Sequence, residues 1–423
     1  MTRNSNLVLV SGSDLRESVT GHRTYVLAHA LAAKAAGYSP HVFVAAERNR
    51  VEETEFGTLH LVASPVRPYW TLMAAAHQPF LARGVARFLF AHPGRHLIHS
   101  FGAWSASGLA ASRAAGRDGI ETVPIASVYT TLDHETDAKL RGVGDQYGVA
   151  TRIRFRGVQL WTRLVAMPNE RWGYRGSRLL LVNHESVGAL LRAQCGPAVD
   201  IRRLPHAAPA AFDAASTARP RAVPQAISSL HSADAPLIVS VSRHDPRKGV
   251  DILLRALAGL TAAGVRFRAC LVGSGALLSA HRRLLEQLNL DGAVAITGHV
   301  PDVFDYLSHA DIFVLPSLQE GGGSVSLQEA LQAGIAVVAS HCDGIPEDLA
   351  PDRDALLVPP GDPGALHAAL ARLLTDEPLR ARLAARARQV YEERFTAASF
   401  VAGLSAVYCE LGFEPEIHQS KLM

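Results

Sequence analysis

Two loops of the sequence carry residue types that bind anions and hydroxyl groups. The first, residues 242–249 (SRHDPRKG), follows the apolar run LIVSV and leads into a helical pattern; we call it the basic loop. Arg243 and Lys248 lie five positions apart in it. Two cations beside a helix N-terminus suit a diphosphate, because the first N–H groups and the helix dipole favour an anion. A solvated charged loop is the alternative interpretation.

The second, residues 316–324 (PSLQEGGGS), also follows a strand candidate and precedes a helix; we call it the glycine loop. Its glycines allow a ligand to approach the backbone closely, and N–H groups at a helix start bind anions or sugar oxygens. The backbone groups concerned belong to Gly321, Gly322, Gly323, Ser324 and Val325. Glu320 would accept hydrogen bonds from sugar hydroxyls, and Glu329, inside the helix, from a ribose diol. Exposed charges on the helix are the alternative for both.

A third loop, Ser11–Gly21, follows the apolar run LVLV. Gly21 would let backbone N–H groups approach a phosphate, although a simple turn glycine is the alternative. The loop contains no G-x-G-x-x-G pattern, so the fingerprint of a dinucleotide-dependent dehydrogenase is absent.

Short apolar runs alternate with helical segments on both sides of a proline-rich stretch, residues 205–236. This alternation predicts an α/β fold with two doubly wound parallel sheets that face each other across a cleft. We place the N-terminal domain at residues 1–207 and the C-terminal domain at 208–395. A last helix, within 396–423, is expected to pack back on the N-terminal domain.

The composition excludes several classes of protein. A hydrophobic content of 48% is globular, and a net charge of +3 over 423 residues does not predict a nucleic-acid partner. Four scattered cysteines form no zinc-binding pair and suit a reducing compartment. No metal-ligand pattern is convincing, and no apolar run reaches the length of a membrane span or a signal-peptide core. We therefore expect a cytoplasmic, metal-independent protein.

Residues 141–178 form an arginine-rich region. It contains eight arginines against two acidic residues, Asp145 and Glu170, with Phe155, Trp161 and Trp172 between them. Three interpretations remain open: peripheral membrane contact through the part from Arg152 to Arg178, a groove for an anionic acceptor, or a solvated helix face.

Several segments, taken in order, resemble retaining glycosyltransferases of the GT-B fold, of the family-four or "glycosyl transferases group 1" type. The resemblance covers nearly the whole chain and is strongest from Leu237 to Pro360. Its clearest segments are TGHRTYVLAHALAAKAAGYSPHVFV, LPHAAPAAF, VSVSRHDPRKGVDILLRAL, ITGHVPDVFDYLSHADIFVLPS, ALQAGIAVVASHCDGIPEDL and ALLVPPGDPGAL.

The resemblance implies roles for individual residues. Arg243 and Lys248 would bind the donor diphosphate, Glu329 the nucleotide ribose and Glu320 the donor sugar. Gly321 to Val325 would contact sugar and phosphate through the backbone, Gly21 would let the first loop close over the diphosphate, and Gly298–Val300 would lie near the base. The N-terminal domain would bind the acceptor, and the C-terminal domain the nucleotide sugar.

The sequence departs from the family pattern at four points. Glu320 and Glu329 are separated by eight residues where the family usually has seven. Thr20 precedes Gly21 in place of a glycine, and Ser242 replaces the glycine before Arg243. The family's N-domain histidine corresponds to Tyr129; His134 would then serve as the catalytic and acceptor-binding group, with a loop histidine of no catalytic role as the alternative.

The expected reaction is retaining transfer of a hexosyl or N-acetylhexosaminyl group from a nucleotide diphosphate sugar, with uridine as the preferred base. The acceptor would be a hydroxyl of a small molecule, a glycan or a glycolipid. No cofactor is expected beyond this co-substrate. A non-catalytic nucleotide-sugar-binding or scaffold protein is the main alternative, and a dehydrogenase is disfavoured by the missing fingerprint.

Overall fold

The computed structural model describes residues 5–12, 15–16, 21–68, 71–141, 156–213, 217, 219–231 and 234–415. The chain divides into two compact units. Unit 1 runs to Phe212 and includes the segment from Ala397 onwards, and unit 2 is Asp213–Thr396. The boundaries predicted from the sequence, after residues 207 and 395, lie close to these divisions.

Unit 1 contains an eight-stranded sheet in the order β3-β4-β2-β1-β5-β6-β7-β8. Its strands are β1 Ser5–Val10, β2 Pro40–Ala46, β3 Arg50–Thr54, β4 Gly57–Ala63, β5 Arg95–Phe101, β6 Glu121–Val128, β7 Leu179–Val182 and β8 Ile201–Arg203. All neighbouring strands are parallel except β3, which pairs antiparallel with β4 as an edge hairpin. The strand order reverses between β1 and β5, as in doubly wound folds.

The helices of unit 1 pack on the sheet and on one another. They are α1 Gly21–Ala35, α2 Ala74–Ala91, α3 Ser105–Arg117, α4 Leu132–Arg141, α5 Met167–Gly176 and α6 Glu185–Cys195. A π-helical turn, Thr162–Ala166, leads directly into α5. The core on the α2 and α3 side includes Val8, Leu81 and Trp104, all fully buried.

Unit 2 contains a fully parallel six-stranded sheet in the order β11-β10-β9-β12-β13-β14. Its strands are β9 Leu237–Val241, β10 Arg268–Val272, β11 Val294–Gly298, β12 Ile312–Leu315, β13 Ala336–Ser340 and β14 Leu356–Val358. Counted along this unit, the order is 3-2-1-4-5-6, which is the arrangement of nucleotide-binding Rossmann folds. The strands are nearly continuous apolar runs because helices cover both faces.

The helices of unit 2 are α7 Gln225–Ser228, α8 Val250–Ala262, α9 Leu278–Gln287, α10 Phe304–Leu307, α11 Val325–Ala333, α12 Ile345–Asp348, α13 Pro363–Thr375 and α14 Glu377–Arg394. Leu253 and Leu257 of α8 pack with Ile238 of β9 and Val314 of β12 in one core. The helix that follows β12, α11, begins where the glycine loop ends.

The last helix, α15 Ala397–Glu410, belongs to unit 1 and packs against α1. The hydroxyl of Tyr408 and Nδ1 of the buried His99 in β5 are 2.7 Å apart, and the Tyr38 hydroxyl donates to the Phe413 carbonyl at 2.9 Å. Within the described part of the chain, no helix is both long and apolar enough to cross a bilayer.

Candidate functional site

The basic loop and the glycine loop meet at the carboxyl edge of the unit 2 sheet. They follow β9 and β12, the two strands between which the strand order reverses. The N–H of Leu318 donates to the carbonyl of Arg247 at 2.7 Å, which joins the two loops directly. Such a reversal point opens a crevice for ligands in doubly wound sheets, so the fold brings the two predicted loops to the expected place.

Lys248 and Glu320 form an ion pair across the two loops. The Lys248 ammonium lies 2.7 and 2.8 Å from the two carboxylate oxygens of Glu320. The Lys248 side chain is 16% exposed and that of Glu320 only 2%. The hydroxyl of Ser317 also donates to Glu320, so the carboxylate is held from two sides. A residue predicted to bind phosphate thus lies beside one predicted to bind sugar.

Arg243 remains more accessible than Lys248. Its side chain is 50% exposed, and its guanidinium pairs with Asp245 at 3.0 Å. The carboxylate of Asp245 also accepts from the N–H of Arg247 at 3.0 Å, which caps the single turn Pro246–Lys248. The same carboxylate thus orders the basic loop and orients Arg243. An incoming diphosphate would compete with it for the guanidinium.

The glycine loop is bent by two residues with left-handed backbone angles. Gly321 has a φ of 65° and Gly323 a φ of 96°, conformations that glycine adopts without steric cost. Ser324 then caps α11, because its side chain accepts from the N–H of Leu327 at 3.3 Å. The loop therefore delivers the chain into a capped helix start, the position where N–H groups can receive an anion.

Asp343, in the loop after β13, holds the other end of the glycine loop. One of its carboxylate oxygens accepts from the N–H groups of Glu320 and Gly321, each at 2.7 Å. The sequence analysis did not single out Asp343, Ser317 or Asp245. The Asp-Gly pair of the segment CDGIPE is a turn signal, yet nothing in its spacing indicates which backbone it contacts.

Glu329 lies on α11, one turn after the helix begins. Burial, together with the nearby charge of Asp302, raises the pKa of its carboxyl to about 8. Among the described residues, no hydrogen bond or ion pair holds this carboxylate. Asp302 is itself held by Arg221, 2.7 Å away, whose side chain is 2% exposed. A carboxyl group that has no protein partner among the described residues is suited to form hydrogen bonds with a pair of hydroxyls.

The segment Gly298–Val300, predicted to lie near the base, begins at the last residue of β11 and contacts the residue after β10. The N–H of Gly273, after β10, donates to the carbonyl of Gly298 at the end of β11 at 2.8 Å. Val300 follows two positions later and is partly buried. The segment therefore sits at the carboxyl edge that also carries the two loops.

The raised pKa of Glu329 predicts a pH-dependent stability. In the folded state the carboxyl stays neutral up to about pH 8, whereas the unfolded chain ionises from pH 4.5, its ordinary value. The unfolded state is therefore favoured increasingly as pH rises through this window. We expect Glu329→Gln to match the parent near pH 4.5 and to melt at a higher temperature at pH 8.5.

Thermal unfolding from pH 4.5 to 8.5 measures this difference. Glu286→Gln, at an exposed glutamate of α9, is the control and should leave the pH profile unchanged. A melting difference between Glu329→Gln and the parent that does not grow with pH would contradict the assignment.

The sequence-predicted residues of unit 1 lie near the carboxyl ends of β1 and β6. The ring of Tyr129 stacks on Tyr25 with centroids 3.9 Å apart, and its hydroxyl is buried without a hydrogen-bond partner among the described residues. Burial raises the pKa of Tyr129 well above its ordinary value. The phenol is thus a neutral group.

His22 is a neighbour of this pair that the sequence analysis missed. Its Nε2 lies 3.1 Å from the Ser11 hydroxyl, and its ring is 6.0 Å from that of Tyr129. Burial lowers the pKa of His22 to about 4, although the charge of Glu135 on α4 opposes this. The only sequence signal was its position directly after Gly21.

The positions of His134 and Gly21 give no support to the roles predicted for them. His134 lies in the first turn of α4, where its N–H donates to the Thr131 hydroxyl at 3.4 Å. Gly21 is the exposed first residue of α1, and a Cβ there would meet no atom within 4 Å. The conformation at Gly21 does not require glycine, and the preceding residues 17–20 lie outside the described chain.

A buried polar network lies behind this edge of unit 1. The Ser127 hydroxyl is 3.2 Å from Nε2 of His29 and 2.7 Å from Nε2 of His99. Burial lowers the pKa of His29 to about 4. The adjoining cavity has a volume of about 10 Å³, room for a single water molecule, and is too small for a sugar.

The arginine-rich region is described from residue 156; Arg152, Arg154 and Phe155 lie outside the described residues. The helical stretch that leads into α5 exposes Leu160 (59%), Leu164 (66%) and Val165 (38%). Arg156 and Arg163 lie exposed beside them. Glu170 is buried, and desolvation raises its pKa to about 8, so the exposed charges of this stretch are basic.

In the residues that the structure describes, no cluster of three or more His, Cys, Asp or Glu side chains could hold a metal ion. The predicted metal independence remains a prediction.

Comparison with solved structures defines the class of fold. Sucrose-phosphate synthase from Thermosynechococcus elongatus superimposes with a TM-score of 0.73 at 20% identity, over 97% of this chain and 99% of that one. Anabaena HepE, in complex with UDP, superimposes with a TM-score of 0.65 at 15% identity, over 96% of this chain and all of that one. The predicted GT-B fold of two Rossmann-like units is confirmed.

The sequence comparisons match part of the chain to a known family. Residues 225–390, within unit 2, match the family described as "Glycosyl transferases group 1", and the predicted resemblance to it is confirmed. The chain is 37% identical over 168 residues to the putative colanic acid biosynthesis glycosyltransferase WcaL of Escherichia coli K12, and 30% identical over 256 residues to that of Salmonella typhimurium. The matched segments span 37% and 56% of this chain, and 41% and 58% of those relatives.

Proposed function

We propose that this protein is a retaining glycosyltransferase that moves a hexosyl or N-acetylhexosaminyl group from a nucleotide diphosphate sugar to an acceptor hydroxyl. The observation that carries the proposal is the arrangement of unit 2 at its strand-order reversal. There the basic loop and the glycine loop lie at one sheet edge with Glu329, whose carboxyl has no hydrogen-bond or ion-pair partner within the described part of the chain. These groups are complementary to a diphosphate, a hexose and a ribose, which are the parts of a nucleotide sugar other than its base.

The proposed mechanism is electrostatic stabilisation of the leaving nucleoside diphosphate. The bond between the anomeric carbon and the phosphate oxygen breaks, and negative charge develops on that oxygen. Arg243 and Lys248 stabilise this charge, which is larger in the transition state than in the bound donor. The acceptor hydroxyl bonds to the same face of the anomeric carbon, and its proton passes to the released phosphate oxygen. No metal ion is needed in this scheme.

The ion pair of Lys248 with Glu320 fits this division of labour. An ammonium 2.7 Å from the carboxylate that holds the sugar would lie at the junction between sugar and phosphate. In this position Lys248 can neutralise the phosphate while Glu320 accepts from sugar hydroxyls. His134 and Tyr129 of unit 1 are proposed to contact the acceptor.

A uridine donor is our preferred assignment. Among the solved neighbours, HepE is described in complex with UDP-glucose. Relatives in sequence include mannosyltransferases described as GDP-mannose-dependent, so guanosine is the competing base. The relatives named for colanic acid, amylovoran and lipopolysaccharide core synthesis favour a glycan or glycolipid acceptor.

Release of nucleoside diphosphate tests the proposal. The protein is incubated separately with UDP-glucose, UDP-N-acetylglucosamine and GDP-mannose, with and without a mixture of glycan and glycolipid acceptors. Proton NMR of the product then gives the anomeric configuration. We expect one donor to be consumed and its α-configuration to be kept. Inversion would contradict the retaining mechanism.

The non-catalytic alternative has one specific observation in its favour. The glycine loop is one residue longer than the family pattern, and two of its N–H groups are already bound by Asp343. Donor binding without release of nucleoside diphosphate, with any of the acceptors, would establish this alternative.

We further propose that unit 1 attaches peripherally to an anionic membrane on the cytoplasmic side. Leu160 and Leu164 lie one helical turn apart and are exposed, with Arg156 and Arg163 beside them. Apolar side chains flanked by arginines suit the interface of an anionic bilayer, since the leucines enter the acyl boundary and each arginine adds about 1 kcal/mol.

Vesicle sedimentation tests this attachment. The parent should sediment with vesicles that contain anionic phosphatidylglycerol, and Leu160→Ser/Leu164→Ser or Arg156→Ser/Arg163→Ser should weaken binding at least ~10-fold. Val51→Ser, at an exposed apolar residue of β3, is the control and should bind like the parent. An absence of binding by the parent would exclude the membrane proposal. So would self-association of the parent, measured by light scattering, that is lost in Leu160→Ser/Leu164→Ser.

A further inference from the structure

Asp343 binds the backbone of the glycine loop at the position where the loop turns towards the donor site. Its Oδ2 accepts two hydrogen bonds, from the N–H groups of Glu320 and Gly321, both at 2.7 Å. Bonds of this length to an ionised acceptor are stronger than bonds between neutral groups. The carboxylate therefore fixes the two peptide groups on either side of the Glu320 Cα, from which the Glu320 side chain extends into the site.

The backbone of Asp343 is held in an unfavourable conformation. Its φ is 46°, in the left-handed region that costs energy for a residue with a side chain. A glycine would occupy this position without that cost. Such local strain persists where the surroundings impose it, and it clusters at functional sites. Here the two hydrogen bonds to the glycine loop stabilise the strained conformation.

The contact of Asp343 also bears on the extra residue in the glycine loop. Eight residues separate Glu320 from Glu329, and the additional length falls in a stretch with three consecutive glycines, which have little conformational preference of their own. Neighbouring structure holds this glycine run on both sides. Ser324 caps α11 at one end, and Asp343 holds Glu320 and Gly321 at the other.

The neighbouring contacts act on the side chain of the same glutamate. Lys248 and Ser317 hold the Glu320 carboxylate, whereas Asp343 holds its peptide. The Sγ of Cys342, next to Asp343, donates to the Ser317 carbonyl at 3.5 Å. The loop after β13 therefore contacts the glycine loop at two successive residues.

We infer that Asp343 is a positioning residue that sets the pose of Glu320 for the hexose of the donor. This role rests on the proposed function, because it assigns Glu320 to the donor sugar. Asp343 acts through the N–H groups of Glu320 and Gly321 and not by contact with the ligand. Its loss should therefore weaken recognition of the sugar and leave recognition of the nucleotide nearly intact, since Glu329 lies within the capped helix α11 and Arg243 pairs with Asp245.

Two substitutions separate the effect of the Asp343 hydrogen bonds from the effect of the backbone strain. Asp343→Gly removes the acceptor and relieves the left-handed strain, which offsets part of the lost hydrogen bonding, so the variant should fold. Asp343→Asn keeps an acceptor oxygen, and asparagine tolerates the left-handed region. It serves as the conservative rescue.

The readouts are calorimetric affinities for matched pairs, UDP with UDP-glucose and GDP with GDP-mannose, and amide hydrogen exchange in a peptide that spans the glycine loop. For Asp343→Gly we expect ~10-fold weaker binding of the nucleotide sugar, the effect of losing about one strong hydrogen bond, and less than ~3-fold weaker binding of the diphosphate. Exchange at the loop should accelerate. Asp343→Asn should retain most of the parent's preference for the nucleotide sugar.

Each contrary outcome has a distinct meaning. Equal loss for sugar-bearing and sugar-free nucleotides, or none for either, overturns the positioning role. Unchanged amide exchange in the glycine loop of Asp343→Gly would show that Asp343 does not hold the loop. A parent that binds none of the four nucleotides shows that the proposed function has failed, and the role in sugar recognition fails with it, while the exchange experiment still decides whether Asp343 holds the loop.

Discussion

Replacement of Lys248 by alanine is expected to lower the turnover number for glycosyl transfer at least ~100-fold, comparable to the loss of a preorganised donor to a developing oxyanion. The ammonium lies 2.7 Å from Glu320 and is the more buried of the two proposed phosphate-binding cations. In a site with little water its charge acts at short range and with weak screening. Initial rates at saturating donor measure the effect.

The same substitution also leaves the buried Glu320 carboxylate without its cation, which costs up to about 3 kcal/mol and could lower activity through misfolding. The double variant Lys248→Met/Glu320→Gln controls for this. It removes both charges and keeps similar volumes, so its melting temperature should recover towards that of the parent while its turnover stays low. Turnover of Lys248→Ala within a few-fold of the parent would contradict the proposed role of the cation.

Replacement of Gly249 by alanine is expected to cost more stability than any exposed substitution in unit 2. Gly249 has a φ of 60° and starts α8, and a Cβ there would lie 2.1 Å from the carbonyl oxygen of Pro316. That oxygen belongs to the backbone at the start of the glycine loop and cannot move without displacing it. With the left-handed cost added, we expect a loss of more than about 3 kcal/mol and a melting temperature lowered by roughly 10 °C.

Gly264→Ala is the matched control, because Gly264 follows the other end of the same helix. Its φ is 71°, but no atom lies within 4 Å of the position that a Cβ would take. Only the left-handed cost of about 1–2 kcal/mol applies there. Thermal unfolding of the two variants should therefore differ by several degrees. Equal melting temperatures would show that the contact between the two loops is not tightly packed.

The sequence predicted the parallel strands well because they are buried on both faces. Apolar runs such as LIVSV and IFVL can occupy little else than a covered strand, and both lie in the unit 2 sheet as β9 and β12. The hairpin of β3 and β4 was missed. β3 is an exposed edge strand with the sequence RVEET, which has no apolar run, so periodicity gives no signal there.

Helix α2, Ala74–Ala91, was also not predicted. It contains Pro79, which usually argues against a helix interior, but Pro79 lies in the second turn and the rest of the segment has an apolar face. Tertiary packing outweighs the local signal here, because Leu81, Val85 and Leu89 are all fully buried.

The candidate site was predicted in its location and in part of its chemistry. Spacing along the chain indicated Arg243, Lys248, Glu320 and Glu329, since each follows or precedes a recognisable strand or helix. It could not show that Lys248 and Glu320 pair with each other, because these residues are 72 positions apart and meet only when the sheet brings their two loops together. The partner of a backbone N–H is likewise invisible in sequence, which is why Asp343 was missed.

The most direct test of the account is a thermal-shift titration of the parent and of Lys248→Met/Glu320→Gln with UDP-glucose, UDP-N-acetylglucosamine and GDP-mannose. A ligand that binds only the folded state stabilises it by about 2.7 kcal/mol at 100 times its dissociation constant. The account predicts that one of the three raises the melting temperature of the parent by several degrees and leaves the double variant nearly unshifted. Equal shifts in both proteins, or none in the parent at millimolar ligand, would contradict the assignment of a nucleotide-sugar site to the two loops of unit 2.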